Sequence, residues 1–288
     1  MSNKSSQISI MTFNMGLMKT QGIELVDNTD GRYNDIVKFI HNCNIDVVCI
    51  QELYGSYQNK FMNDIISSYP NIYQHHYELC GLCIISKYPC TFMKSYVFPY
   101  MNQMGVDLLY PNGFINICID GKMITNSHVS TGGGFPATSF YVEYIRSKQS
   151  SFIMYACNCI IENNRDIKYH ILCGDFNFST EQSIKNYNDV IGLGYIDCAN
   201  DNDSNDKSVT WDKINNPLIS RSVIANIFFS TEVSQRCDII FHKKITPSDK
   251  EECVSSDYII YNSGNYKYLS DHYAVSCVIS PSILGSGA

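Results

Sequence analysis

Hydrophobic residues in this chain come in short bursts separated by polar turns, and the spacing inside each burst separates strands from helices. Ile8-Ser9-Ile10-Met11-Thr12-Phe13 alternates and then meets Asn14-Met15-Gly16, which predicts a strand ending in a polar turn. From Tyr33 to His41, Ile36, Val37 and Ile40 fall at helical spacing, and Asp46-Val47-Val48-Cys49-Ile50 follows as a short buried strand that stops at Gln51-Glu52. A second helix is expected from Asn59 to Tyr69 on the face of Phe61, Ile65 and Ile66, then a strand Leu82–Ser86 closed by Lys87-Tyr88-Pro89. Phe114–Ile119 and Met123–Thr125 read as a hairpin around Asp120-Gly121. Phe140 to Ile161 contains neither Gly nor Pro and reads as a helix across the back of a sheet. Tyr169–Cys173, running into Gly174-Asp175-Phe176-Asn177, Cys237–Phe241 and Ala274–Ile279 are the remaining strong strands, and the polar stretch Asp197 to Asn216 reads as a surface loop. Short strands alternating with a few helices predict an α+β layered sandwich, sheets inside and helices outside. With no repeat and no long linker, one domain over 1–288 is expected.

Composition narrows the class. The 288 residues are 44% hydrophobic and 17% charged, which excludes disorder over most of the length. No run approaches the roughly 18 apolar residues of a membrane span. Met1-Ser2-Asn3-Lys4-Ser5-Ser6 lacks the apolar core of a secretion leader. A cytoplasmic or peripheral-membrane location is therefore expected, with secretion left open. The net charge of −7 argues against a polyanion binder that relies on broad attraction. Thirteen cysteines, several of them (Cys43, Cys49, Cys118, Cys173, Cys277) inside apolar runs, are expected to be free core thiols in a reducing compartment. Cys80-x-x-Cys83 and Cys157-x-Cys159 lack a second pair at zinc-ligand spacing.

The candidate chemistry collects where hydrophobic strands stop: Asn14, Glu52, Asn126 with His128, Asp175 with Asn177, Asp238, and Asp271 with His272. A strand end fixed by a packed core is stiff support for a reacting group. Taken singly, Asn14 also suits a turn, Glu52 a surface charge and Asp175 a helix cap. It is their recurrence as acids, amides and histidines that points to catalysis.

The order Thr12-Phe13-Asn14, Gln51-Glu52, Gly174-Asp175-Phe176-Asn177 and Ser270-Asp271-His272 resembles the endonuclease/exonuclease/phosphatase superfamily over nearly the whole chain. Gly81-Leu82-Cys83-Ile84-Ile85-Ser86-Lys87-Tyr88-Pro89, Asn126-Ser127-His128, Thr210-Trp211-Asp212 with Asn215-Asn216-Pro217-Leu218, Arg236-Cys237-Asp238-Ile239-Ile240-Phe241 and Ser270-Asp271-His272-Tyr273 look most like its neutral sphingomyelinases. Two positions depart from that pattern: Asn112-Gly113 stands where Lys-Gly is common, and Ser127 is the middle residue of the Asn-x-His motif. The resemblance implies a DNase I-like four-layer sandwich, with two mixed β-sheets packed face to face and helices outside.

It also implies roles. Glu52, Asn14 and Asp271 would hold Mg²⁺, which prefers oxygen donors, with Mn²⁺ or Co²⁺ as substitutes. His272 would be the general base, oriented by Asp238; Asp175 would orient the attacking water and Asn177 would donate to a non-bridging phosphate oxygen. His128 would protonate the leaving oxygen. His41, His75, His76, His170 and His242 carry no expected role. The implied reaction is phospholipase C-type hydrolysis of sphingomyelin, or a related choline phospholipid at a membrane surface, to ceramide and phosphocholine. Membrane contact is expected through a Tyr258–Leu269 hairpin or Ile227-Phe228-Phe229. The alternatives are a metal-dependent endo- or exonuclease on the same residues, disfavoured by sparse positive charge, and an inactive binding module, disfavoured by the intact set. Inositol polyphosphates would demand more Lys and Arg, and a monomer is expected.

Overall fold

The computed structural model describes residues 7–20, 23–132, 139–199, 209–220, 233–245, 251–261 and 268–283. Ile227-Phe228-Phe229, the middle of the expected Tyr258–Leu269 hairpin, and most of the polar stretch before Thr210 lie outside these residues. In chain order the strands are β1 (Ile8–Leu17), β2 (Lys19–Thr20), β3 (Ile23–Glu24), β4 (Val47–Leu53), β5 (Asn71–Gln74), β6 (Cys83–Ser86) and β7 (Phe92–Val97). They continue as β8 (Gly113–Ile119), β9 (Lys122–His128), β10 (Tyr169–Asp175), β11 (Ile196–Asp197), β12 (Asp238–Lys244), β13 (Glu251–Tyr261) and β14 (Ala274–Ile283). The helices are α1 (Thr29–Asn42), α2 (Ser56–Ile65), α3 (Phe140–Glu162), α4 (Ile184–Gly192) and α5 (Pro217–Ser220).

Two six-stranded mixed sheets pack face to face, in the orders β13-β14-β1-β4-β6-β5 and β11-β12-β10-β9-β8-β7. The parallel pairs, β1 with β4 and β9 with β10, lie at the centre of each sheet. Strand alternation explains the layers. Ile10, Val47, Cys49 and Ile84 of the first sheet meet Ile117, Ile171, Cys173 and Ile240 of the second in a shared core. Their neighbours face outward: Met11, Phe13, Val48 and Ile50 lie under Tyr33, Ile36, Phe39 and Phe61 of α1 and α2. On the far side Phe114, Leu172 and Phe241 lie under Ile153, Cys157, Ile160 and Tyr187 of α3 and α4. This is the expected four-layer arrangement. The β8–β9 turn falls at Asp120-Gly121, both with positive φ (47° and 71°), the conformation that a tight two-residue hairpin needs.

Several expectations need correction. The second helix starts and ends earlier than its apolar face suggested, at Ser56 and Ile65. The edge strands β5 and β7 escaped notice because their side chains are half-buried or exposed and carry little alternation. The polar stretch does not end as a surface loop: Thr210, Trp211, Asp212 and Asn216 are buried, and Trp211 bridges both Gln235 and His272. Polar groups go inside when backbone groups satisfy them. Thr210 Oγ1 accepts from the Cys237 and Asp238 amides, and Asn216 Nδ2 donates to the carbonyls of Ser270 and Asp271. Of the expected Tyr258–Leu269 hairpin only the two flanks are described, and Ile259 among them is exposed. Ile259–Tyr261 pair with β14, and Tyr258, Ile260, Tyr261 and Leu269 are partly buried against the cores. The described cysteines are free thiols.

Candidate active site

Alternation decides which strand-end residues meet. Ile124, Asn126 and His128 share the inner face of β9, as do Ile171, Cys173 and Asp175 on β10, and Ile240 and Asp238 on β12. Register then places Asp175 directly opposite His128 on one side and Asp238 on the other. From the first sheet, Asn14 arrives on the inner face of β1, in register with Gln51. Strict alternation would turn Glu52 toward the helices. Its left-handed backbone (φ 54°) breaks that alternation, and its Oε1 accepts from Asn14 Nδ2 at 2.9 Å.

Asp175 Oδ2 is the hub. It accepts from Asn14 Nδ2 at 3.0 Å and lies 3.8 Å from Nε2 of both His128 and His272. His128 Nε2 is also 3.9 Å from Glu52 Oε1. These imidazole contacts are electrostatic, being too long for hydrogen bonds. Neither ring nitrogen of buried His128 has a hydrogen-bond partner among the described residues. His272 is held differently, with Nδ1 2.8 Å from Asp238 Oδ2 and its backbone amide donating to Ser270 Oγ. Burial alone would strip the proton from His272, but the carboxylates of Asp238 and Asp175 outweigh it and raise its pKa well above the usual histidine value. The Asn177 amide donates to Asp175 Oδ1, and its Nδ2 spends one of two hydrogens on Val129 O. Asp271 accepts from the Ser270 hydroxyl at 3.1 Å beside Gly16, where a Cβ would stand 2.6 Å from its Oδ1. Asn14, Glu52, His128, Asp175, Asn177, Asp238 and His272 thus join in one constellation, with Asp271 beside it.

The family model for the Endonuclease/Exonuclease/phosphatase family matches residues 11–272. The chain belongs to this family. Membership makes it a phosphoesterase-type hydrolase. No curated protein sequence matches the chain. Among solved structures it is similar to sphingomyelinase C from Streptomyces griseocarneus (18% identity, 95% of this chain and 99% of that one, TM-score 0.68). It is also similar to D. rerio TDP2 complexed with a single-strand DNA product (18% identity, 96% and 99% covered, TM-score 0.69). A third is a mutant beta toxin from Staphylococcus aureus with bound magnesium ions (17% identity, 94% and 99% covered, TM-score 0.67). At such identities the likeness shows the fold and not the substrate.

Two donor sets within this Endonuclease/Exonuclease/phosphatase site can be compared as places for a cation. Among the described residues the one tight group of possible ligand atoms is Asp175, Cys237 and His272, within 4.8 Å of one another. That set suits a hard cation poorly. Burial first, and then the Asp175 and Asp238 carboxylates, push the Cys237 thiol well above its ordinary pKa and keep it protonated, while His272 Nδ1 is committed to Asp238. Glu52 fits better. Burial, followed by the opposing influence of His128 and the added charge of Asp271, leaves its pKa raised, an anionic oxygen whose ionised form a divalent cation would favour. Asn14 orients that carboxylate rather than adding a free oxygen, because its Oδ1 accepts from the Gly16 amide.

Other residues hold the site, and for Arg32 and Asp107 the sequence carries no signal. Buried Arg32 donates to the carbonyls of Met15, Gly16, Val26, Asp27 and Leu269, fastening the end of β1 to the segment before Ser270. Gln51 Nε2 donates to Asn126 Oδ1 at 2.6 Å, and Asn126 Nδ2 to the carbonyls of Ile50 and Cys83, so Asn126 clamps the two sheets together. Asp107, accepting a short hydrogen bond from Ser130, lies near His128; burial pushes its carboxyl up to about 6. No local pattern announces such partners, since each depends on a contact distant along the chain.

Proposed function

We propose that the chain is a Mg²⁺-dependent sphingomyelin phosphodiesterase of the phospholipase C type, releasing phosphocholine and ceramide. The observation that carries the reaction is the Asp175 carboxylate flanked by two imidazoles, each Nε2 3.8 Å from the same oxygen. One is anchored to an acid and the other is not, which separates a proton acceptor from a proton donor. His272, oriented through Nδ1 by Asp238, takes a proton from the water that Asp175 positions. The water oxygen bonds to phosphorus, the phosphorus–ceramide oxygen bond breaks in line, and His128 supplies the proton to the departing alkoxide. The second Nδ2 hydrogen of Asn177 donates to a non-bridging oxygen. Glu52, oriented by Asn14 and with Asp271 nearby, would hold the cation, which supplies charge neutralisation when bound.

The lipid headgroup is supported by the likeness to sphingomyelinase C and by the charge of the site. Arg32 and Arg146, buried near it, direct their guanidinium groups to carbonyls and Ser183 rather than to a row of phosphates. The experiment is to offer sphingomyelin vesicles, abasic and single-stranded DNA, and inositol phosphates with Mg²⁺, Mn²⁺ or Co²⁺. Phosphocholine release is expected, abolished by EDTA. DNA cleavage alone would transfer the same site to the nuclease alternative, and turnover of none of them would favour a binding module. Glu52→Gln should raise the Mg²⁺ concentration for half-maximal activity at least about tenfold, read by metal titration. An unchanged metal titration would remove Glu52 from the metal site.

A further inference from the structure

The segment between β7 and β8 and the first turns of α3 carry large apolar side chains that no core uses. Tyr100 is 78% exposed, Met101 80%, Leu109 70% and Phe140 83%, and Tyr141 and Tyr144 are also exposed. Two contacts bring these segments onto one surface: Met104 packs with Val142 and Ile145, and Gln149 Nε2 donates to Asn102 O at 2.6 Å. Two more join that surface to the mouth of the site. Ser130, two residues past His128, donates to Asp107, and Tyr110 meets Tyr54, two residues past Glu52, edge to face at 5.6 Å between centroids. Asp107 is buried toward the site while Val106 and Leu108 on either side of it are exposed. One exposed leucine needs no explanation, but a cluster of this size beside a catalytic mouth does.

We propose that this face, residues 100–109 with the start of α3, docks the enzyme on a phospholipid bilayer. The proposal rests on the sphingomyelinase reading, whose substrate is presented in such a surface. Charge favours this occupant. Within 100–110 and 140–148 the carboxylates are Asp107, which is buried, and Glu143, which is half-buried, whereas Lys148 is exposed with Nζ 5.2 Å over the Tyr144 ring. A chain of net charge −7 therefore presents a face with no fully exposed carboxylate. Tyrosine and phenylalanine rings mixed with Met and Leu suit the headgroup boundary, where apolar bodies enter the acyl region and hydroxyls stay wet.

The test uses a triple variant, Met101→Ser with Leu109→Ser and Phe140→Ser, and separately Phe140→Glu; all these positions are outside the catalytic groups. Flotation with phosphatidylcholine vesicles in EDTA measures docking without turnover. Binding by the unaltered chain and a loss of about tenfold or more in both variants is expected. Hydrolysis of sphingomyelin in vesicles should fall in parallel, while release of p-nitrophenol from the soluble ester p-nitrophenyl phosphocholine stays unchanged. Equal vesicle binding by the variants overturns the proposal. So does a variant that dissociates a dimer while floating as before, which would make the face a contact between two copies. If neither choline ester is cleaved yet flotation falls in the variants, docking stands and the substrate reading fails.

Discussion

His272 and Asp238 concentrate the catalytic claim at the residue scale. His272→Ala should lower turnover at least about a thousandfold with folding intact, and retention of most activity would remove it as the base. A base must be deprotonated to work, so the raised His272 pKa places the acid limb of kcat/KM above the usual histidine value, with activity falling as pH drops through it. Asp238→Asn should move that limb to lower pH and reduce kcat; an unmoved limb would assign it to another group. His170 provides a contrast, with the opposite shift. Its ring nitrogens lie 2.7 Å from Thr125 Oγ1 and 2.6 Å from Tyr195 OH beneath α3, and burial pushes its pKa down to about 3. The unfolded chain then binds this proton first, so stability is complete above about pH 6.5 and declines as pH falls toward 3. At pH 5 the loss from this one group is about 2 kcal/mol. Urea unfolding of the native chain and His170→Gln at pH 7.5 and 5 measures it, and equal pH slopes for the two would refute it.

Among the elements, the segment around α5 controls the Ser270–His272 turn. Asn216 donates to two carbonyls of that turn from a fully buried position, and Trp211 pairs with His272 through the backbone. Asn216→Ala should cost about 1–3 kcal/mol of stability, since two buried carbonyls lose their donor, and should lower kcat more than it raises KM. A stability loss with unchanged kcat would make Asn216 purely structural. The same region shows where sequence reading stopped. Thr210-Trp211-Asp212 and Asn216 were visible as a motif, but their polar composition read as a loop, because hydrogen bonds to remote backbone cannot be inferred from local pattern. β1, β4, β9 and β10 were legible for the opposite reason: each buries one face against the other sheet and one against helices, which leaves a dense apolar run ending at a fixed polar residue.

Across the whole molecule, the proposed catalysis would depend on two sheets keeping their spacing, since Asn14 and Glu52 come from one and His128, Asp175 and Asp238 from the other. Gln51 and Asn126 are one polar link between them, and Asn14 with Asp175 is another. Gln51→Leu and Asn126→Leu should each destabilise by about 1–3 kcal/mol, with the double variant costing less than the sum, since each single change strands the other partner. Additive losses in a urea double-mutant cycle would mean that the two amides are not coupled. The sequence by itself determined the central strands, the placing of helices outside the sheets and the strand-end groups, because alternation and the end of an apolar run are local properties. Tertiary structure decided the rest. Register set Asp175 between two histidines, a left-handed backbone brought Glu52 back to Asn14, and Arg32, Asn126 and Asn216 acquired their work only through partners far along the chain. It also shows an exposed apolar face at residues 100–109 and the start of α3, where no strand or helix covers the most exposed side chains among the described residues.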